Sequence, residues 1–334
     1  MHLPNVLMAA FAASVAASTG LSQETRYPLT LENCGQELIF DAAPETTVTV
    51  GQSTTEILYL LGLGNHVAAT SVWFNPVLPE FEGLNARIDR LSDDDPSFES
   101  ILEEQPDLVT VMHDWLVGED GIVATREMFH DADVPTYVMP TDCEEQDSPG
   151  GEDAFTPDQL YRGIEELANI YDAREEGAAL IADLQAREAS AVAGVEALNL
   201  PEGTSAIVWF SSADIYAAPY VAGQQGVPAY MMDRLGIENI VQSDRKWPTL
   251  DWEDIALADP SVIILAEMNR RRFAADDIER KLEFLMTDPV TRKMTAVREG
   301  RIIIIDAHAL SPTVRAIYAL EEIVNALAEF DLSE

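Results

Sequence analysis

The spacing of apolar residues predicts one long helix in the middle of the chain. The stretch between Asp158 and Leu200 contains no proline, and the third-to-fourth-residue spacing of one helical face is kept by Leu160, Ile164, Leu167, Tyr171, Ala178, Ile181 and Leu184. Thr156, Pro157 and Gln159 suit the first turn as cap, first helical residue and capping-box partner. About 40 residues at about 1.5 Å each give a rod of about 60 Å. We therefore predict a helix over 156–198 that connects two domains.

The segments on the two sides of this helix resemble each other. Residues 97–111 read SFESILEEQPDLVTV, and residues 251–265 read DWEDIALADPSVIIL. When the two stretches are aligned without a gap, an aromatic residue, a glutamate, an isoleucine, a proline and a final apolar strand fall at the same positions. Repeats indicate duplicated architecture, and chance similarity of two short helix-to-strand units is the alternative. We predict two similar α/β lobes, residues 24–155 and residues 199–334, joined by one long rigid α-helix.

Short apolar runs alternate with helical stretches inside each predicted lobe. A hairpin is predicted first, over 27–41, with its turn at 33–35. The predicted strands that follow cover 47–51, 67–70, 108–112 and 135–138, and then 205–210, 262–265 and 302–305. This alternation is typical of a mostly parallel sheet. Ligands of such sheets bind beyond the carboxyl ends of the strands.

Composition limits the possible partners. The chain has 334 residues, 47% of them hydrophobic, which is enough for two buried cores. Its formal charge of −39 argues against a nucleic-acid partner, because phosphate binding needs a basic surface. The same charge suits a saline environment, and an ordinary hydrated acidic surface explains it equally well.

Residues 1–22 have the character of a secretory signal. Leu3 to Ala17 is apolar and rich in alanine, and small residues for cleavage occur at 15–17 and at 20–22. The n-region departs from the usual pattern because it has His2 but no lysine or arginine. No lipid-anchor cysteine follows, and no later apolar run is long enough to span a bilayer. We expect export as a soluble protein, with the periplasm as its location.

Cys34 and Cys143 are the only two cysteines. In an oxidising compartment they can close a loop of about 110 residues, which contributes about 4 to 5 kcal/mol in the chain-entropy model. Two buried thiols are the alternative. The cysteines lie far from any cluster of histidines in the sequence, so we expect no metal site there.

Candidate chemistry lies in the loops that leave the predicted strands. No phosphate loop, dinucleotide glycine motif, serine elbow or paired-histidine helix occurs, so we predict binding rather than catalysis. Aromatic rings with a few polar groups suit a cleft for a bulky, partly apolar ligand. Each tryptophan could instead pack in a core, and Arg315 could instead form an ordinary ion pair within the protein. The predicted ligand-binding residues are Trp73, His113, Trp115, Trp209, Tyr220, Trp247, His308 and Arg315.

Several motifs in a fixed order give the chain a family resemblance. Residues 48–51 read VTVG, followed by TEIL at 55–58 and LGLG at 61–64; later come Glu99 with PDLV at 106–109, then Trp247-Pro248, Trp252-Glu253 and Asp259-Pro260. In this order they resemble the substrate-binding proteins of ABC importers for iron chelates and vitamin B12. The resemblance covers nearly everything from Tyr27 to the end of the chain.

The resemblance implies a function and roles for several residues. A ligand would enter between the lobes with little closure, with Trp73 and Trp115 in one wall and the aromatic residues of the second lobe in the other. Glu99 and Glu253 look like the family's docking glutamates, which meet arginines of a membrane permease dimer. Alternatively, both are solvent-facing glutamates at helix starts, where the helix dipole favours a negative charge.

The ligand itself is left open by the sequence. A ferric siderophore ranks first, a corrinoid second, and haem with His113 or His308 as axial ligand third. We expect no resident cofactor and no bare metal site, because few histidines remain for one. We also expect a monomer. The alternative from another class is a secreted metal-dependent enzyme on a similar two-lobed fold.

Overall fold

Parallel β-sheets organise both halves of the chain in the computed structural model, which describes residues 24–143 and 155–332. The expected signal segment, residues 1–22, lies outside the described residues. The predicted α/β architecture with two lobes and mostly parallel sheets is confirmed.

The first lobe begins with the predicted hairpin, β1 (Leu29–Asn33) and β2 (Gln36–Phe40), which pair antiparallel. Its turn uses Cys34 and Gly35, both at positive φ, as a two-residue hairpin turn requires. A parallel five-stranded sheet follows in the order β5-β4-β3-β6-β7. Its strands are β3 (Thr47–Val50), β4 (Val67–Ser71), β5 (Asp89–Ser92), β6 (Leu108–Val111) and β7 (Thr136–Val138), and its helices are α1 (Gln52–Leu60), α2 (Glu82–Asn85), α3 (Phe98–Glu103) and α4 (Arg126–Asp131).

The prediction of one uninterrupted helix over 156–198 is corrected by the structure. The segment forms α5 (Pro157–Ile170) and α6 (Arg174–Leu198). Asp172 adopts a left-handed conformation between them, with φ at 56°, and the Ala173 amide donates to the Ala168 carbonyl. The sequence hid this break because aspartate tolerates left-handed backbone without a glycine or proline signal.

Helix α5 packs on the first lobe rather than spanning the two lobes. The Tyr137 hydroxyl at β7 donates to Glu166 of α5, at 2.8 Å. The first lobe therefore extends beyond the predicted boundary at 155, and α6 is the long connecting helix. The two helices approach closely where Gly177 faces Ala168, because a Cβ at Gly177 would lie 2.5 Å from the Ala168 Cβ.

The second lobe repeats the plan with a sheet in the order β10-β8-β11-β12 and a short strand β9 antiparallel to β8. Neighbours along that order are parallel. The strands are β8 (Ser205–Ser211), β9 (Tyr220–Val221), β10 (Glu238–Asn239), β11 (Val262–Glu267) and β12 (Ile302–Asp306), and the helices are α7 (Gly226–Arg234), α8 (Trp252–Ala258), α9 (Ile278–Thr287), α10 (Thr295–Arg298) and α11 (Val314–Ala328).

Short 3-10 turns complete the described chain, and several of them follow the carboxyl ends of strands. They cover Gly64–His66, Pro79–Phe81, Asp114–Leu116, Pro140–Asp142, Ala274–Asp276, Thr291–Lys293 and Ala307–Leu310.

A buried lysine fixes two strand ends of the second lobe. The Lys281 ammonium is fully buried and donates to the carbonyls of Phe210 and Ala266, at 2.6 and 2.7 Å. These carbonyls lie at the carboxyl ends of β8 and β11. Burial lowers the pKa of Lys281 to about 7, and the charge of Asp276 opposes that shift. The lysine thus holds together the edge of the sheet from which the candidate loops leave.

The predicted disulfide between Cys34 and Cys143 is present, with the Cα atoms 5.1 Å apart. It connects the turn of the β1–β2 hairpin to the segment after β7. Asn33, beside the bridge, is buried, and its side chain donates to the Val138 carbonyl at 2.8 Å. The hairpin is therefore held on the first lobe by a covalent bond and by buried hydrogen bonds.

Replacing both Cys34 and Cys143 by serine should lower the free energy of unfolding by about 4 to 5 kcal/mol, because the bridge closes a loop of 109 residues. Urea unfolding of the variant and of the oxidised protein measures the difference. Dithiothreitol should destabilise the wild-type protein and leave the variant unchanged. Equal urea midpoints for both proteins would show that the bridge does not stabilise the fold.

Candidate functional site

Loops that follow strand ends in both lobes meet between the lobes. Gly51, at a φ of 142°, turns the chain from β3 directly into α1. A Cβ at this position would lie 2.4 Å from the Met112 side chain after β6, so only glycine fits there. The first turns of α1 carry a row of buried polar residues, Gln52 to Glu56. Thr55 bonds within the first lobe, to Thr49 and Thr70, whereas Glu56 meets the second lobe.

A buried ion pair connects the two lobes at this point. Glu56 of α1 is 0% exposed, and the Arg315 guanidinium of α11 donates to both of its carboxylate oxygens, at 2.9 and 2.5 Å. Arg315 also donates to Asp306 at the end of β12 and to the Pro76 carbonyl. Burial raises the pKa of Glu56, and hydrogen bonds from Arg315, Gln52 and the Leu78 backbone oppose that shift.

The segment Trp73–Pro76 after β4, which we name the bridge segment, reaches into the second lobe. The Asn75 side-chain nitrogen donates to the Glu267 carbonyl at 2.9 Å and to Asp306 at 2.5 Å. Its side-chain oxygen accepts from the Asn269 amide at 2.7 Å. The carboxamide thus caps the carboxyl ends of the neighbouring strands β11 and β12 and fixes the bridge segment in the second lobe.

Two arginines lie over the aromatic rings of the bridge segment. The Arg90 Cζ is 4.3 Å from the Trp73 ring centroid, and the Arg270 Cζ is 4.0 Å from the Phe74 ring centroid. A depression of about 250 Å³ lies against these four side chains and is completed by Asn75, Pro76, Asp93 and Asn269. Guanidinium groups bind anions and stack on planar groups, so this depression can hold a planar anionic group.

His308 is buried directly beside the bridge segment. It is 1% exposed, and its ring stacks on Phe74 with centroids 5.5 Å apart and planes 14° apart. Neither ring nitrogen has a hydrogen-bond partner among the described residues. Burial lowers the pKa of His308 well below its ordinary value, and the positive charge of Arg315 adds to that shift.

A second group of residues lies where β6 and β7 end. The His113 ring stacks on Trp115 at 5.5 Å, and its Nδ1 lies 3.3 Å from an Asp142 carboxylate oxygen without hydrogen-bond geometry. Trp115 is 48% exposed. His113 and Asp142 line a void of about 10 Å³ with residues of the second lobe, Ser311 to Thr313. This group also belongs to the space between the lobes.

The structure separates the eight predicted ligand-binding residues into three sets. His113, Trp115 and the half-buried Tyr220 and Trp247 keep accessible surface. Trp73 and His308 lie at the junction of the lobes but are covered. Trp209 and Arg315 form the third set, because other side chains of the protein occupy them.

Trp209 and Arg315 make contacts that leave little for a ligand. Trp209 is 0% exposed and packs edge-on against Trp252 and Phe284 inside the second lobe, so its placement in a cleft wall is corrected. The guanidinium of Arg315 is occupied by Glu56 and Asp306, which corresponds to the ion-pair alternative. Trp247 packs on Phe210 at the end of β8, at 4.9 Å.

Sequence reasoning missed four residues of the junction, Phe74, Asn75, Arg90 and Arg270. A signal for Arg270 was present: three consecutive arginines, 270–272, follow the predicted strand 262–265 in a chain with 20 basic and 59 acidic residues. Nothing in the local pattern marked Asn75, because its partners lie about 190 or more residues further along the chain.

Glu99 and Glu253 occupy equivalent positions on the outer surface. Each is the second residue of a short helix, α3 or α8, and each is exposed. The preceding aromatic residue is anchored in both cases: Phe98 packs edge-on against Phe129 at 4.9 Å, and Trp252 packs on Phe284 at 5.1 Å. The repeat in the sequence therefore becomes a repeated presentation of one carboxylate on each lobe.

Within residues 24–143 and 155–332, no group of three or more His, Cys, Asp or Glu side chains is arranged to hold a metal ion. In the same ranges, no helix has the length and apolar character needed to cross a membrane.

Comparison with known proteins gives one family. A family model described as periplasmic binding protein matches residues 48–309 of the 334. No curated protein matches the sequence significantly.

Several solved structures share the fold over almost the whole chain. A periplasmic binding protein from Veillonella parvula is 20% identical with a TM-score of 0.72, covering 91% of this chain and 98% of that one. A protein of an ABC-type Fe3+-hydroxamate transport system from Saccharomonospora viridis is 24% identical with a TM-score of 0.70, covering 90% and 99%. The siderophore-binding protein BauB, solved with two acinetobactin molecules and ferric iron, is 15% identical with a TM-score of 0.68, covering 92% and 100%.

Changing Arg315 to methionine should lower the free energy of unfolding by about 3 to 5 kcal/mol, because it leaves the buried Glu56 carboxylate without its cation. The paired variant Glu56→Leu/Arg315→Met should lose less than the sum of the two single variants. Urea unfolding of the wild type, the two single variants and the paired variant gives the double-mutant cycle. Strictly additive losses would contradict a coupled pair.

Proposed function

Because the chain belongs to the periplasmic binding protein family, we propose that it is the extracytoplasmic solute-binding protein of an ABC importer. In this role it captures a ferric siderophore or a similar metal chelate between its lobes and delivers it to the permease. The relatives described for Fe3+-hydroxamate transport and for siderophore binding support this ligand class.

The observation that carries the ligand class is the pair of guanidinium–aromatic stacks at the bridge segment. Arg90 on Trp73 and Arg270 on Phe74 surround one open depression between the lobes. A chelate with anionic oxygen groups and planar apolar parts satisfies both kinds of contact. Arg270 takes the role that the sequence gave to Arg315.

Haem and corrinoid rank below the chelate. Phe74 covers His308, so haem would have to displace the Phe74 ring before its iron could reach that imidazole, which is 1% exposed. His113 lies beside Asp142 and beneath Trp115. A flat macrocycle also needs a continuous slot between the lobes, whereas the depression beside the bridge segment and the void beside His113 share no lining residue.

Delivery depends on the outer surface rather than on the cleft. Exposed Glu99 and Glu253 are one carboxylate on each lobe, which suits a permease dimer with matching arginines. Exposed ion pairs contribute about 0 to 1 kcal/mol each, so they set register and approach. We further propose that the protein acts as a periplasmic monomer without catalytic activity.

Replacing Arg270 by methionine should weaken binding of a ferric siderophore by about tenfold or more, since a hydrogen bond to a charged group contributes about 1.5 to 3 kcal/mol. Isothermal titration calorimetry against a ferric siderophore panel, cobalamin and haem measures this. Arg298→Met, at an exposed arginine of α10, is the matched control and should bind like the wild type. Tight binding of cobalamin or haem alone would refute the chelate assignment.

Alanine at both Glu99 and Glu253 should leave ligand affinity unchanged and lower stimulation of permease ATP hydrolysis by about tenfold at limiting protein concentration. The assay uses the importer of the same transport system in lipid nanodiscs. Glu196→Ala, at an exposed glutamate of α6, serves as the control. A loss of ligand binding would show that these glutamates act in the cleft instead.

A further inference from the structure

The ring of Phe74 occupies a place that suits an aromatic group of a ligand. One contact is the parallel stack on His308, with planes 14° apart. Another is the Arg270 guanidinium, whose Cζ lies 4.0 Å from the ring centroid. Flat stacking partners select a planar π system, and the guanidinium also attracts negative charge.

The imidazole of His308 has an unusual environment. It is 1% exposed, and both ring nitrogens lack a hydrogen-bond partner among the described residues. Most buried polar side-chain atoms have such a partner, so an exception at the junction of two lobes calls for an explanation. A group stacked on the imidazole face forms no hydrogen bond with nitrogens in the ring plane, so polar groups of the ligand would have to meet these nitrogens at the edge of the ring.

The backbone of the bridge segment is fixed, but the Phe74 ring need not be. The Phe74 amide donates to the Gln52 side chain at 3.1 Å, and its carbonyl accepts from the Arg270 amide at 3.0 Å. Asn75 anchors the next residue in the second lobe. Rotation about the side-chain bonds of Phe74 therefore moves the ring alone. The half-buried ring borders the depression of about 250 Å³, which leaves space for this movement.

We propose that Phe74 covers a subsite for an aromatic anion, and that a catecholate-type ring of the chelate displaces the Phe74 ring and stacks on His308 and Arg270. Arg90, which lines the same depression and donates to Asp93 at 2.9 Å, exchanges that carboxylate for a second anionic group of the same ligand. An aliphatic hydroxamate chelate has no ring for this position. The inference rests on the proposed function and selects aryl chelates within it.

The test compares wild type and Phe74→Ala by isothermal titration calorimetry, with the ferric complexes of catechol and of acetohydroxamate as probes. Removing the competing ring should tighten catecholate binding by about tenfold, and hydroxamate binding should change less than about twofold. Phe74→Leu keeps apolar bulk in the position and should show no gain. Adding Arg270→Met to Phe74→Ala should remove the gain. A thermal melt confirms that each variant is folded.

Arg270→Lys in the wild-type background provides a second measurement that does not require removal of Phe74. It keeps the charge but loses the flat guanidinium, so catecholate binding should weaken about tenfold more than hydroxamate binding. No gain in Phe74→Ala, or equal changes for both probes in either variant, would overturn the subsite. If these results are negative but the wild-type protein still binds the ferric hydroxamate, only this subsite is refuted. No binding of any ferric chelate refutes the proposed function as well.

Discussion

The buried pair of Glu56 and Arg315 is the constraint around which the junction of the lobes is built. A carboxylate with no exposed surface needs its cation at hydrogen-bond distance, and that cation comes from the other lobe. The position of α11 relative to α1 is therefore restricted by charge as well as by the connecting helix. Gln52 and the Pro76 carbonyl extend this network to the bridge segment.

This constraint shapes the space between the lobes. The bridge segment is tied to both lobes, and the depression beside it shares no lining residue with the void beside His113. His113 and Trp115 stand at the ends of β6 and β7, while Arg90 and Arg270 border the depression beside the bridge segment. The small closure that the resemblance implies also agrees with a junction that is fixed in advance.

The charge beside the depression differs from the net charge of the chain. A formal charge of −39 would repel an anionic chelate. Near the depression, however, three arginines, Arg90, Arg270 and Arg272, lie beside two aspartates, Asp93 and Asp94, so acidic groups do not dominate there. Burial lowers the pKa of Arg270, and the neighbouring Arg272 adds to that shift. Arg90 and Arg270 lie over aromatic rings at this surface, and a guanidinium is a planar cation, which makes it suited to planar anions.

The two lobes, the parallel sheets, the hairpin and the paired glutamates could be predicted from the amino-acid sequence, and the disulfide could be predicted with the two buried thiols as its alternative. These features follow from local periodicity, from an internal repeat and from a count of two cysteines, all of which are written along the chain. Tertiary structure decided the break at Asp172, the burial of Trp209 and the partner of Arg315, which lies 259 residues away. It also brought Phe74 to His308. Periodicity reports which face of an element is apolar, but the neighbour that a side chain meets depends on how distant segments pack.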